Sequence, residues 1–427
     1  MNALRRRLAD APPLLFSLYA MGAAFATYFC MYGLRKPFAA GSYPGEPVFG
    51  LDLKTFFVMA QVIGYACSKW IGVKVVSEVD DRHRGRAILV AAVVAEVALV
   101  GFALTPAPWS ALFLVVNGLP LGMIWGFVFG YLEGRKVSDF LGAGLCASFI
   151  LASGVVKAVG RWFIDLGVPE TWMPAAAGFV FLVPMLLFTG LLAQLPPPTA
   201  ADVAARTRRA PMDASARRAF VRAHLGGLVP LFAAYVALTA FRDFRDNFAR
   251  ELWDALGFGD APAIFALSEV PVAFGALLPV LLVGPVRDNR RALAIIHGVL
   301  ILGALLVTGA TFAWSAGLIG PAPWMITVGL GAYLAYVPYN CVLFDRLVAA
   351  LGSVATAAFL IQLADSLGYL GSVGLLIYKN AGQPDLPWLP FFAGACHGVA
   401  AVGLVSWLAS AFWLRRRLPA RPTTLSG

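Results

Sequence analysis

The chain has 427 residues, 60% of them hydrophobic and 13% charged, with a mean hydropathy of +0.77 and a formal net charge of +10. That balance excludes a soluble globular domain. Apolar runs of about twenty residues or more recur along the whole length, so the chain reads as a polytopic membrane protein. The cysteines (Cys30, Cys67, Cys146, Cys341 and Cys396) all lie inside those runs, at spacings that suit neither a disulfide framework nor a zinc site.

In chain order, the runs predict twelve spans over 14–38, 52–77, 86–105, 109–133, 140–165, 173–195, 224–256, 261–286, 291–313, 322–348, 353–379 and 387–414. Most connections are short and marked by Pro and Gly. The one long linker, 196–223, opens on Pro196-Pro197-Pro198, continues as a basic, Ala-rich stretch that favours a surface helix, and divides the chain into halves at 1–195 and 224–427. The first span follows an arginine cluster but is long and feeds eleven more spans, so it reads as an uncleaved anchor.

Most of the 33 Lys and Arg fall in the N-terminal tail, the 82–86 turn, Arg135-Lys136, the linker, 287–291, Arg346 and the C-terminal tail. With twelve spans these segments share one side, and the intervening loops are nearly bare of positive charge. Both termini are therefore expected in the cytoplasm, in what reads as a bacterial cytoplasmic membrane. The net charge is topological and calls for no nucleic-acid partner.

The cations left inside the spans carry the functional signal. The stretch Phe241 to Phe248 puts Arg242, Arg245 and Asp246 on one helical arc, with Asp243, Asn247 and Arg250 beside it and Phe241, Phe244 and Phe248 opposite. The first span has Tyr28, Tyr32 and Arg35 on one stripe. The second has Gln61, Tyr65, Ser68 and Lys69, and the fifth Ser153, Lys157 and Arg161. Lys157 and Arg242 lie about 25 Å and about 27 Å along their spans at helical rise. Buried cations need water, a counter-charge or a ligand. These stripes predict a basic, tyrosine-lined cavity suited to an anion. The alternative is a set of internal ion pairs, such as Lys157 with Asp365 or Arg242 with Asp246.

An internal repeat supports the cavity. Arg35 and Arg242 are 207 residues apart, as are Asp81 and Asp288, which open similar acidic-basic turns after the second and eighth spans. Two homologous halves with a site at their interface are the plan of a secondary transporter.

These features resemble the major facilitator superfamily, and within it the organophosphate:phosphate antiporters, which carry glycerol phosphate and hexose phosphates. The likeness rests on Tyr28 with Tyr32-Gly33-Leu34-Arg35-Lys36-Pro37-Phe38, on Gly64-Tyr65-Ala66-Cys67-Ser68-Lys69-Trp70-Ile71, on Gly118 with Gly122-Met123-Ile124-Trp125-Gly126, and on Gly368-Tyr369-Leu370-Gly371. It implies an all-α fold of twelve transmembrane helices in two pseudo-symmetric six-helix halves. It also implies a phosphate clamp made by Arg35 and Arg242 with Lys69 nearby. Three departures stand out: Pro37 replaces a more usual polar residue, the fifth-span histidine is replaced by Lys157 as the nearest basic group, and the doubled Arg-Asp is atypical. The last resembles an uncharacterised branch of the superfamily.

The expected function is alternating-access transport of a small organic anion of the phosphorylated-metabolite class, coupled to phosphate antiport or protons. Arg35, Arg242, Lys69, Tyr32, Tyr65, Lys157 and Arg245 are the candidate substrate-binding residues. Asp243, Asp246, Asp365, Glu269 and Glu96 are the candidate proton carriers. Asp81, Arg82, Glu133, Asp288, Arg291 and Asp345 read as cytoplasmic latches between helices. No nucleophile constellation, metal-ligand cluster or cofactor motif points to an enzyme, and a monomer in the bilayer is expected. The alternative function is a transporter-like sensor of a phosphorylated solute.

Overall fold

The structure is a computed structural model that describes residues 3–80, 82–133, 135, 138–199, 202, 214–352, 357–383 and 385–417. Ten of its helices are individually long and apolar enough to cross a membrane. The pair Pro321–Cys341 and Leu343–Leu351, bent by 49° at Val342, makes an eleventh. The twelfth is Leu53–Glu78, 26 residues long, which carries Gln61, Ser68, Lys69 and Lys74 and is less apolar for it. The protein is an integral, multi-pass membrane protein.

In order, the spans are Pro13–Gly33, Leu53–Glu78, Arg84–Leu104, Ala111–Leu132, Ser138–Asp165, Met173–Leu192, Leu225–Asn247, Ile264–Val283, Asn289–Ser315, Pro321–Leu351, Ala357–Ile377 and Trp388–Arg417. Outward-facing Val97, Phe179, Phe274, Phe312, Leu281 and Val405 are exposed, as an acyl-chain environment demands. Within the first half, the first span packs on the fifth and sixth, the fourth on the second and third, and the third on the sixth. Adding six to each number reproduces the packing of the second half. Between the halves, the second span packs on the eleventh and the fifth on the eighth, a pair of contacts that a two-fold exchange of halves interconverts. The repeat read from spacing is thus a repeat of packing.

Close approach depends on glycine where backbone meets backbone. A Cβ on Gly64 would lie 2.2 Å from the Val115 carbonyl oxygen, so only glycine lets the second and fourth spans touch there. Gly154 does the same between the halves, where a Cβ would meet the Phe265 carbonyl oxygen at 2.1 Å.

Several spans are not continuous helices. The seventh breaks at Phe248 and resumes as Ala249–Ala255. The eighth turns at Ser268, between Ile264–Leu267 and Glu269–Val283. The first stops at Gly33 because Pro37 has no N–H to return to the Gly33 carbonyl, and a short 3-10 helix, Pro37–Ala40, follows. In the linker a helix covers Ala214–Ala223, while most of the Ala-rich stretch, 203–213, lies outside the described residues.

Candidate functional site

The stop in the first span sets the site. It frees the carbonyls of Leu34 and Arg35, which need partners inside the membrane. Asn117 of the fourth span donates to Leu34 O at 3.1 Å, and Gln61 of the second donates to Arg35 O at 3.1 Å, the two amides being joined at 2.9 Å. The backbone of Arg35 is therefore pinned. The Arg35 guanidinium carbon lies over the Tyr65 ring, 3.7 Å from the centroid, and 5.8 Å from that of Tyr369. Arg35 is 2% exposed, forms no ion pair among the described residues, and leaves its Nε without a partner.

Between the halves is a narrow cavity with room for about one water molecule. Tyr28, Tyr32, Tyr65, Lys69, Trp125 and Phe149 line it from the first half, and Arg242, Tyr336, Asn340, Asp365 and Tyr369 from the second. Arg242 lies over Tyr336, 4.3 Å from the ring centroid, and pairs with Asp243 at 2.8 Å. Asp243 also accepts from Ser372 Oγ at 2.9 Å. Lys69 crosses the halves to Asp365 at 2.9 Å, and Tyr235 donates to the other oxygen of that carboxylate. Of the candidates, Arg242, Lys69, Tyr32, Tyr65 and Asp365 line this space together, and Arg35 backs it behind Tyr65.

The remaining candidates lie elsewhere. Arg245, three residues after Arg242, points away to Glu269 at 2.8 Å and to the Met325 carbonyl at 3.2 Å, between the eighth and tenth spans. Glu96 sits between the third and sixth spans against Gly178, away from the cavity. Lys157 and Asp246 meet at 2.7 Å near the bundle end opposite the termini, and Ser153 donates to the same carboxylate. Lys36 pairs with Asp246 too and donates to Asn247 at 2.8 Å. One carboxylate of the second half thus holds two lysines and a serine of the first.

The sequence-level pairings therefore need correction: Lys157 pairs with Asp246 and not Asp365, and Arg242 with Asp243 and not Asp246. Stripes fix which face of a helix is polar, but not how far neighbouring helices are shifted along their axes. The aromatic face is as expected: Phe241 stacks on Phe392 at 5.1 Å and Phe248 on Trp388 at 4.3 Å, docking the seventh span on the twelfth. Lys36 was not among the candidates. Its signal is Pro37, which stops the helix and sends adjacent Arg35 and Lys36 to different partners.

The end opposite the termini is further closed by Lys54 with Glu251, by Arg250 on the Ala40 carbonyl at 2.7 Å, and by Arg250 on Glu170 at 3.1 Å. Glu170 also accepts from Ser42 N at 3.0 Å and Tyr43 N at 2.6 Å. Burial raises its pKa, but these donors outweigh burial and hold it below the ordinary value. Among the expected latches, Asp81 lies outside the described residues, Arg82 and Arg291 are exposed, and Asp288 caps its own helix through Arg290 N at 2.9 Å. Glu133 and Asp345 lie at the ends of their helices.

Among the described residues, three buried cations (Arg35, Lys69 and Arg242) and two buried carboxylates (Asp243 and Asp365) line or directly back the cavity. One positive charge is in excess, in a volume walled by tyrosines. Guanidinium, ammonium and phenol groups are donors of the kind that charge-assisted bonds to an anion use.

Solved transporters have the same fold. A D-xylose–proton symporter superposes with a TM-score of 0.60 at 14% identity, covering 94% of this chain and 97% of that one. The inward-open xylose transporter XylE from E. coli gives 0.60 at 13% identity, covering 96% of this chain and 97% of that one. A mutant peptide transporter POT in complex with sulfate gives 0.59 at 16% identity, covering 98% and 100%. At these identities the likeness is one of fold. No curated protein matches the chain. A family model matches residues 37–417, and the chain therefore belongs to the family of unknown function DUF5690 and has the major facilitator fold.

Proposed function

We propose that the protein is a secondary transporter that carries a small organic anion of the phosphorylated-metabolite class by alternating access. The observation that carries this reading is the excess of positive charge at the cavity between the halves, where Arg35, Lys69 and Arg242 meet only Asp243 and Asp365. A buried cation costs several kcal/mol unless it meets a counter-charge or water. A negatively charged ligand would supply what the protein's own carboxylates do not.

In this mechanism the anion binds Arg242 and Lys69 from opposite halves, with Arg35 adding charge from behind Tyr65. It competes with Asp243 for Arg242 and with Asp365 for Lys69. Because the ligand bridges the halves best when they close on it, binding biases the rocking equilibrium. Re-opening at the far end requires Asp246 to leave Lys36 and Lys157. Drive comes from exchange for phosphate or from protons taken up by displaced carboxylates, of which Asp365 and Asp243 are closest to the ligand. The termini face the cytoplasm in this reading, since the arginine-rich segments share their end of the bundle.

The test is an anion screen by thermal stabilisation of the purified chain, since a ligand that binds only the folded form raises its midpoint. Phosphate or a sugar phosphate should stabilise the wild type and fail to stabilise Arg242→Ala. Stabilisation by neutral sugars alone would refute the anion assignment.

A further inference from the structure

A second cavity, of about 470 Å³, lies at the termini end of the first half, remote from the one between the halves. Five arginines line it: Arg5 from the N-terminal helix Ala3–Ala9, Arg82, Arg84 and Arg86 around the start of the third span, and Arg135 after the fourth. Among the described residues that line it there is no Asp or Glu. Pro196, Pro197 and Pro198, where the linker departs, form one wall.

Arginines that serve only to orient spans have no reason to converge on one concavity, where like charges repel. Here two are anchored in place. Arg84 donates to the Gly130 carbonyl at 2.9 Å, and Arg135 to the Pro196 carbonyl at 2.5 Å. Gly130 permits the first of these, since a Cβ there would meet the Arg84 guanidinium at 2.8 Å. Asp202 of the linker acts on Arg135 and is itself bonded to Thr199. A separate observation points to a ligand. Thr189 of the sixth span is 1% exposed, lines the cavity, and leaves its Oγ1 without a hydrogen-bond partner, as does the Nε of Arg5. Unpaired buried donors are costly, and an oxygen-rich anion would satisfy them.

We propose that this cavity binds a phosphate-bearing anion, either the headgroup of an anionic phospholipid or a soluble phosphate compound. Guanidinium forks match phosphate oxygens two at a time, and basic pockets at the membrane surface suit such groups. The bound anion would tie together the N-terminal helix, the third, fourth and sixth spans and the start of the linker, all of which contribute to the lining. The site is independent of the central one and of the transport reading.

The experiment is a thermal titration of the full chain in neutral detergent with inorganic phosphate, short-chain phosphatidylglycerol and, as zwitterionic control, short-chain phosphatidylcholine. A saturable rise in midpoint with phosphatidylglycerol alone identifies a lipid headgroup, and a rise with phosphate alone identifies a soluble ligand. In both cases the apparent affinity should fall at least about tenfold in Arg5→Gln/Arg86→Gln and in the near-isosteric Thr189→Val, and persist in Arg242→Ala. No rise with either anion, a rise unchanged in the pocket variants, or a rise abolished by Arg242→Ala would overturn the proposal. Arg86 is exposed and Arg5 partly so, which leaves folding of the arginine variant undisturbed.

Discussion

The thiols of Cys146 in the fifth span and Cys341 in the tenth lie 3.3 Å apart, one from each half. Both are buried, on the termini side of the cavity, and neighbouring Phe149 meets Tyr333 and Tyr336 across the same seam at 6.1 Å. If the halves rock, this contact must open and close once per cycle. A disulfide needs the sulfurs only about 1.3 Å closer. Copper-phenanthroline is therefore expected to join the halves and stop transport, with activity restored by reductant. Cys146→Ser should be indifferent to oxidant, as read by mobility after cleavage of an engineered linker site. Full transport in the cross-linked protein would rule out separation of the halves along this seam.

Asp246 is the main charge holding the opposite end shut. Asp246→Asn keeps the hydrogen-bonding shape but leaves Lys36 and Lys157 uncompensated, a change of about 3–5 kcal/mol if the closed arrangement persisted. A lower thermal midpoint is expected, partly restored in Asp246→Asn/Lys157→Met, because the second change removes one of the stranded charges. Additive losses in the double variant would show that the two residues act separately.

Glu170 gives this closure a pH dependence outside the membrane. Its pKa is lowered in the folded protein, so its contribution to stability is complete above the ordinary carboxylate value of about 4.3 and is lost as pH falls through the folded value. Its side chain is 21% exposed, so solvent screening limits the effect to about 1 kcal/mol or less. The midpoint of the wild type should fall below about pH 4.3 more steeply than that of Glu170→Gln, measured by thermal melts from neutral to acid pH. Parallel profiles would remove Glu170 from the closure.

Much of the architecture is legible in the residues because membrane spans announce themselves by length and apolarity, and because duplication leaves a spacing. Even so, the second span shows how buried polar residues weaken a span's own signal: Gln61, Ser68 and Lys69 lower its hydropathy. Arg242 and Lys69 stand out in the sequence by the same reasoning, since a cation deep in an apolar run has few explanations. What spacing does not carry is the partner. Arg245 shares an arc with Arg242 on a helical wheel, yet about 300° of rotation and one turn of rise deliver it to Glu269 on another helix. Lys36 is hidden by Arg35, because only the break before Pro37 separates their directions.

The central claim is that an anion is carried through the excess-positive cavity. Counterflow in proteoliposomes loaded with phosphate, sampled with labelled phosphate and sugar phosphates, tests it most directly. The wild type is expected to show saturable exchange with at least one of them, and Arg35→Ala/Arg242→Ala to lose it. Exchange undiminished in that double variant would contradict the cavity assignment, and tight binding with no flux would contradict transport itself, leaving a sensor.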